Sequence, residues 1–369
     1  MITTDYLIVG SGLTGATLAR LLHERGEKVL VIDRRSHVGG NVHDYLHESG
    51  IRVHTYGPHY FRTSDERIWN FVNRYASFYD YVASLKSWVD GEYENWPIAA
   101  SYIRKHIGEN WKPSFKGNPS NFEEAALSLM PERIYEKFIK GYNIKQWGVD
   151  PKELSSQLVK RFDVREDDDP RLMPNHTYQG IPKEGYATFM ENMLEGIPLM
   201  LHCDYLQRKN EFAVGKMLIY TGPIDEFFNY EFGRLKYRGQ QRVHEWIDNK
   251  EWHQPCGQVN NPGLANGPHI RTLEWKHMMP AAEAQPIQGT LITKEITYTP
   301  SNPEDYEYPF PDQVNGDLYK KYKAKAESTP GLLVCGRLGE YKYYDMDQAI
   351  GRAFMLLEKR ILQSTATEE

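Results

Sequence analysis

Residues 10–15 read Gly-Ser-Gly-Leu-Thr-Gly, the spacing G-x-G-x-x-G, directly after a short apolar run at 6–9. Glycines at Gly10, Gly12 and Gly15 let backbone approach a pyrophosphate, which then rests on the N-terminus of the helix opened by Leu13 and Thr14. Asp33 ends the next apolar run about 20 residues later, where a carboxylate accepts hydrogen bonds from a ribose. The chemistry is dinucleotide binding, with a tight structural turn as the alternative. Gly39 and Gly40, within "RRSHVGGNV", favour FAD over NAD, because a second glycine pair lets the chain pass close to the adenosine or pyrophosphate. A plain loop is the competing reading there.

A second dense stretch, "GEYKYYDMDQAIGRAF" at 339–354, sets three tyrosines and two aspartates before a helix. If 341–344 is extended, Tyr341 and Tyr343 share one side and Tyr344 packs on the other. The helix start at 346–349 offers free backbone N–H groups to an anionic or polar ligand. Metal and nucleophilic-triad chemistry find no support. Histidines such as His253 and His277 lack ligand spacing, no HExxH occurs, and no metal is expected.

These residues need elements to hold them. The run 6–9, a helix with Leu13, Ala16, Leu18, Leu21 and Leu22 at helical spacing, Gly26 as its stop and a strand at 29–32 make a βαβ unit. From 65 to about 160 the texture is helical and aromatic, as in "ERIWNFVNRYASFYDYV", "NFEEAALSLM" and "ERIYEKFIKGYNIKQW". A polar loop follows, then the helix "GYATFMENMLEGI" and the strand "MLIYTG". "FGRLKYRG", "HIRTLEWKHM" and "GTLITKEITYTP" read as a smaller sheet, "GLLVCGRLG" as a buried strand, and 347–361 as a helix. The expected architecture is α/β: a discontinuous Rossmann-like FAD-binding domain (1–65, 186–230 and 329–369) with two insertions. One insertion is helical (66–165, with a mobile loop near 160–175). The other is an antiparallel sheet (166–185 and 231–328).

With 369 residues, 40% hydrophobic and 25% charged, the chain has the composition of a globular protein. A net charge of −6 argues against nucleic-acid binding and calls for local arginines at any anionic ligand. Cys203, Cys256 and Cys335 are far apart and are expected to be reduced, as in a cytoplasmic chain. No apolar run is long enough for a membrane span, and no signal peptide is expected.

Several phrases together resemble the prokaryotic UDP-galactopyranose mutase family, in its order and over nearly the whole length. They are "RRSHVGGNVHD", "YGPHYFRTSDERIWNFVNRY", "GYNIKQWGVDPKELSSQLVKRFDVR", "YQGIPKEGY", "IYTGPIDEFFNY", "IRTLEWKH" and "CGRLGEYKYYDMDQAI". The resemblance implies an FAD-dependent isomerase interconverting UDP-galactopyranose and UDP-galactofuranose, or a close analogue, for cell-surface polysaccharide synthesis. Reduced flavin N5 acts there as nucleophile at the anomeric carbon, and NAD(P)H or a reductase supplies the electrons. Family members are often homodimers.

Carried over by residue, the resemblance implies that Tyr142 stacks on the base, with Asn143 and Trp147 along the ligand. Arg165 closes from the mobile loop onto the diphosphate. Tyr308 and Tyr343 donate to it, while Tyr178 and Asp345 complete the substrate site. Arg271 lies near the flavin–substrate cleft. Arg34, Asn41, His59, Arg337, Met346, Asp347 and Ala349 join the glycines and Asp33 around the flavin.

Three positions depart from the family pattern. Arg62 stands where a histidine usually lies against the isoalloxazine, and a cation there would favour anionic reduced flavin, which makes Arg62 a catalytic candidate. Tyr298 replaces a second diphosphate-binding arginine, and Ala99 replaces an asparagine near the ligand. The changes fall on the substrate half. They leave open a dTDP-6-deoxyhexose, an N-acetylhexosamine or a pentose nucleotide as substrate. A flavin oxidoreductase of amine-oxidase-like plan is the alternative enzyme, and a flavoprotein that binds nucleotide sugar without catalysis is the third reading.

Overall fold

The computed structural model describes residues 1–362; the last seven residues of the segment 329–369 lie outside the described residues. A five-stranded parallel sheet runs in the order Leu199–Met200, Val29–Ile32, Ile2–Val9, Phe212–Tyr220, Leu332–Val334. Tyr6, Leu7, Ile8, Val31, Ile32 and Ile219 are buried, as strands covered on both faces require. The helices Leu13–His23 and Met346–Leu356 pack on each other beside it, so the two ends of the chain meet. The order reverses direction at Ile2–Val9, which opens a crevice at the carboxyl ends of the strands.

A seven-stranded sheet lies beyond. Its order is Tyr308–Pro309, Tyr237–Ile247, Thr290–Tyr298, Arg271–Glu274, Gln258–Asn260, Leu85–Val89, Glu92–Trp96. All neighbours are antiparallel except Gln258–Asn260 against Leu85–Val89. A helical block with its own core (Phe122, Ile134, Tyr135, Phe138, Ile139) carries the helix Gly141–Trp147 to the edge of this sheet. Lys145 fixes it there, its ammonium donating to the carbonyls of Asn261, Gly263 and His269 at 2.9, 2.7 and 3.2 Å.

Three expectations are corrected. The stretch "ERIWNFVNRYASFYDYV" is helical only over Glu66–Val72; Phe78–Asp80 pairs with Tyr178–Pro182, and Leu85–Val89 and Glu92–Trp96 join the large sheet. The alternating burial of Leu85–Val89 and the aromatic content of 78–81 suit a pleated surface better than a helix. In "FGRLKYRG" the strand starts only at Tyr237 and runs on to Ile247, because its long partner Thr290–Tyr298 pairs along it. Residues 341–344 are not extended: Tyr341 turns left-handed (φ 47°) and its hydroxyl bonds the backbone of Phe310 and Lys236. Tyr341 therefore packs against Tyr237 and does not share a side with Tyr343.

Candidate active site

Two cavities share one wall. The first, about 1140 Å³ including its mouth, is the crevice at the strand ends. Gly10, Gly12, Leu13, Thr14 and Gly15 line it from the first turn. Asp33, Arg34, Gly39, Gly40 and Asn41 line it from the second strand and the loop after it. Gly10 has φ +104°, and a Cβ there would stand 2.0 Å from Thr221 Oγ1; one at Gly15 would stand 2.0 Å from the Gly10 carbonyl oxygen. A Cβ on Gly12 would meet no protein atom closer than 3.9 Å, so its absence leaves room for a ligand. The Asp33 carboxylate accepts from Ser11 N–H and Oγ (2.8 and 2.7 Å) and from Arg35 N–H (2.9 Å). Arg34 is held by a bidentate pair with Glu226 at 3.0 and 2.7 Å. This donor-rich, glycine-lined crevice, lined also by Ala349, fits a dinucleotide such as FAD.

The second cavity, about 1430 Å³, opens between the helical block and the large sheet. Tyr142, Asn143 and Trp147 line it from the helix Gly141–Trp147, and Tyr308, Tyr343, Asp345 and Arg62 face it from elsewhere. His59, Arg337 and Met346 line both cavities and form the junction. Burial and the neighbouring His54 and Arg337 push the His59 imidazole down to about 3, so it is neutral, with Nδ1 2.7 Å from the Gly57 carbonyl. Burial lifts the Tyr308 hydroxyl to about 12 against the pull of Arg271, which keeps it a donor.

The cavity floor is a closed charge network. Glu295 is buried between Arg271 and Arg242, and Arg242 also grips Glu307 at 2.9 Å through both guanidinium nitrogens. Burial raises the Glu295 carboxyl, but the two arginines more than offset it, and it stays ionised. Arg271 is thus neutralised in place. Arg161 and Arg337 make no carboxylate pair among the described residues; their guanidinium carbons lie 3.7 and 4.4 Å from the centre of the Tyr343 ring. Tyr308 stacks on the same ring at 5.9 Å. Two cations without a carboxylate partner, Arg337 held by the carbonyls of Tyr344 and Glu307 at 2.8 and 3.5 Å, beside two phenols suit a diphosphate.

Three site expectations are corrected. Arg165 does not line either cavity: it bonds Asp163 at 2.6 Å and the carbonyls of Arg171 and Leu172 at 3.0 and 3.1 Å. Of the two arginines in "KRFDVR", the one on the cavity wall is Arg161, four residues earlier. Tyr178 lines neither cavity and stacks on Trp69 at 5.2 Å, because its strand faces the helix Glu66–Val72. Asp347 lines the second cavity rather than the crevice, one position past the junction residue Met346. Arg62 pairs with Asp345 at 3.1 Å and leaves its Nε buried with no partner among the described residues. Tyr298 stands exposed at the end of its strand, away from both cavities. Sequence reasoning missed Arg161, Gln240, Gln258, Asn260 and Glu307 on the second cavity, and Tyr220, Thr221 and Glu304 on the crevice. None of them carried a local signal of its own; Arg161 shares the phrase "KRFDVR" with Arg165.

A sequence model of the family described as UDP-galactopyranose mutase matches residues 137–343, and one for NAD(P)-binding Rossmann-like domains matches residues 8–75. The chain belongs to the UDP-galactopyranose mutase family. It is an enzyme of the isomerase class with a mixed α/β, Rossmann-like fold. A Klebsiella pneumoniae protein named "Probable UDP-galactopyranose mutase" is 35% identical, over 99% of this chain and 96% of that one. An Escherichia coli dTDP-fucopyranose mutase is 34% identical, over 94% of this chain and 96% of its own length. A crystal structure of reduced UDP-galactopyranose mutase superposes with a TM-score of 0.77 at 16% identity, covering 99% of this chain and 95% of that one. A putrescine oxidase shares the fold at a TM-score of 0.64 and 10% identity, covering 98% of this chain and 99% of that one. The activity supported for the family is that of a nucleotide-sugar pyranose mutase. Among the described residues no helix is long and apolar enough to cross a membrane.

Proposed function

We propose that the chain interconverts the pyranose and furanose forms of a nucleotide-activated hexose, with FAD held in the crevice. UDP-galactose and its dTDP-linked 6-deoxy counterpart are the two candidates. The observation that carries this reading is the junction of a dinucleotide crevice with an aromatic, arginine-bearing cavity at His59, Arg337 and Met346. The crevice would sit in an FAD domain of 1–65, 186–230 and 329–369. Bound there and reduced by NAD(P)H or a reductase, a flavin would supply a nucleophilic nitrogen for the anomeric carbon.

The chain does the rest. Glycines at 10–15 bring backbone N–H groups and the N-terminus of Leu13–His23 to the pyrophosphate. Asp33 keeps lone pairs free for a ribose beyond those it gives Ser11 and Arg35. Tyr142 offers a flat face to the pyrimidine base. Arg161, Arg337, Tyr308 and Tyr343 surround the diphosphate and hold it while the sugar rearranges; charge-assisted hydrogen bonds are about twice as strong as neutral ones. This arrangement offsets the missing arginine at Tyr298. Leu158, Phe162 and Trp96 line the same cavity and exclude water. Neutral His59 keeps positive charge off the junction, where Arg337 is already present.

Incubation of the dithionite-reduced protein with UDP- and dTDP-sugars, resolving pyranose from furanose products by chromatography, tests the reading. Rearrangement of one of them without oxygen consumption is the expected result. Steady oxygen uptake with no rearranged product would favour an oxidase of the putrescine-oxidase plan instead.

A further inference from the structure

Segment 163–171 forms a flap between Phe162 and Leu172, both of which line the second cavity. Arg165 straps the flap to itself through Asp163 and the carbonyls of Arg171 and Leu172. Its far end is tied down at Ala83 and Ser84. The outer turn is anchored differently. Asp168, in the left-handed region at φ 55°, accepts a hydrogen bond from Ser101 N–H at 3.1 Å.

Ser101 lies in the first turn of the helix Ala100–Ile107, and that helix lacks a cap of its own. Ala99 has the extended backbone of an N-cap residue (φ −76°, ψ 132°) but no side-chain oxygen, and the first turn holds no acidic residue. A helix start leaves unpaired N–H groups and a positive dipole end. Asp168 supplies both the acceptor and the negative charge from 67 residues away. The parallel pairing of Val164 and Arg165 with Ile98 and Ala99, and the ion pair of Glu166 with Arg104, press the same two segments together.

We infer that Asp168 is a positioning residue: by capping the helix Ala100–Ile107 from outside, it latches the flap and keeps Arg161 over Tyr343. Ala99 is the other half of the device. A residue able to cap its own helix would leave Asp168 without its partner and the flap without its anchor. The latch sits at the surface, since Glu166 is exposed and Asp168 only half-buried, so it can open without disturbing either core. The consequence for turnover rests on the nucleotide-sugar reading; the latch itself does not.

Trypsin digestion of the full chain reads the latch directly, because Arg165 and Arg171 lie inside the flap. Losing an N-cap interaction predicts about tenfold faster cleavage there in Asp168→Ala, and about tenfold higher KM for the nucleotide sugar. Turnover number and bound-flavin absorbance stay near wild type. The double variant Asp168→Ala with Ala99→Ser returns a cap to the helix but not to the flap. It recovers the melting temperature of the single variant's loss while cleavage stays fast and KM high. Recovery of all three measurements would reduce Asp168 to a plain helix cap and overturn the inference. So would wild-type cleavage in Asp168→Ala, or fast cleavage with unchanged KM. Should Asp168→Ala not fold, Arg104→Gln, which removes the surface ion pairs to Glu166 and Glu109, is expected to shift cleavage and KM about twofold in the same direction; no shift in either overturns the latch. If the wild-type protein rearranges no nucleotide sugar, the functional reading fails while the cleavage rates still decide the latch.

Discussion

The glycine-lined crevice and the aromatic cavity touch at three residues, yet they are assembled in different ways. The largest single share of the crevice wall comes from residues 9–42, where backbone turns at Gly10, Gly39 and Gly40 adopt positive φ and present N–H groups. The cavity takes its wall from side chains on the helix Gly141–Trp147, six strands of the large sheet, the segment 158–162 and the start of the helix Met346–Leu356. Backbone sites tolerate no added atoms, while side-chain sites tolerate exchange of one cation for another. That contrast explains how the crevice keeps its form beside a cavity that carries Arg62 on its wall, while Ala99 and Tyr298 line neither.

The largest expected effect lies in the crevice. Gly15→Ala places a Cβ 2.0 Å from the Gly10 carbonyl oxygen, an atom of the backbone that cannot yield without moving the turn. The variant is expected to purify without visible flavin absorbance and to lose about 1–3 kcal/mol of stability from overpacking. Full flavin occupancy would show that the turn is looser than its geometry. Next comes the cavity. Arg161→Ala should keep its flavin and lose about 100-fold in kcat/KM, the size of a lost charge-assisted hydrogen bond. Arg165→Ala should lose less, about tenfold, and mainly in KM, since it acts through the flap. A larger loss for Arg165 than for Arg161 would reverse the two assignments. Tyr308→Phe keeps the stack on Tyr343 and removes one neutral donor, so about a tenfold fall in kcat/KM is expected in steady-state assays.

A separate effect is on stability, behind the crevice. Asp225 is fully buried; Oδ2 accepts from Leu235 N–H at 2.9 Å, and Oδ1 has no partner among the described residues. Burial raises its carboxyl from 3.8 to about 6. Between those values the folded chain holds a proton that the unfolded chain has lost, so stability falls as pH rises through this window. Asp225→Asn keeps the acceptor for Leu235 and removes the charge. It should stabilise the protein by about 2 kcal/mol at pH 8 and have almost no effect near pH 4, read by urea unfolding at both. An equal effect at both pH values would mean that the carboxyl is not held protonated.

How far the sequence could be read follows the same divide. Gly10, Gly12, Gly15, Asp33, Gly39 and Gly40 all line one crevice because each is placed by a turn or strand end within a few residues of itself. Asp347 was expected beside Met346 and Ala349, but successive residues of a helix start point about 100° apart, and it turns to the other cavity. Tyr341 was paired with Tyr343 on the assumption of extended chain, which a single left-handed residue undid. Tyr178 was assigned to the ligand from its phrase alone, whereas the neighbouring strand and Trp69 claim its ring. Arg161 and Arg165 sit in one six-residue phrase with equal charge and reach, and nothing local separates them.

The sequence by itself determined the βαβ opening, the dinucleotide turn and the family. Those depend on glycine backbone freedom, apolar periodicity and short spacings, which are properties of neighbouring residues. Only the tertiary structure decided that Arg161 rather than Arg165 lines the second cavity, that Arg271 is neutralised by Glu295, and that Asp168 caps a helix it does not belong to. Those depend on where side chains from distant segments point once the helical block and the large sheet pack, and each position is set by contacts that no single stretch of the chain contains.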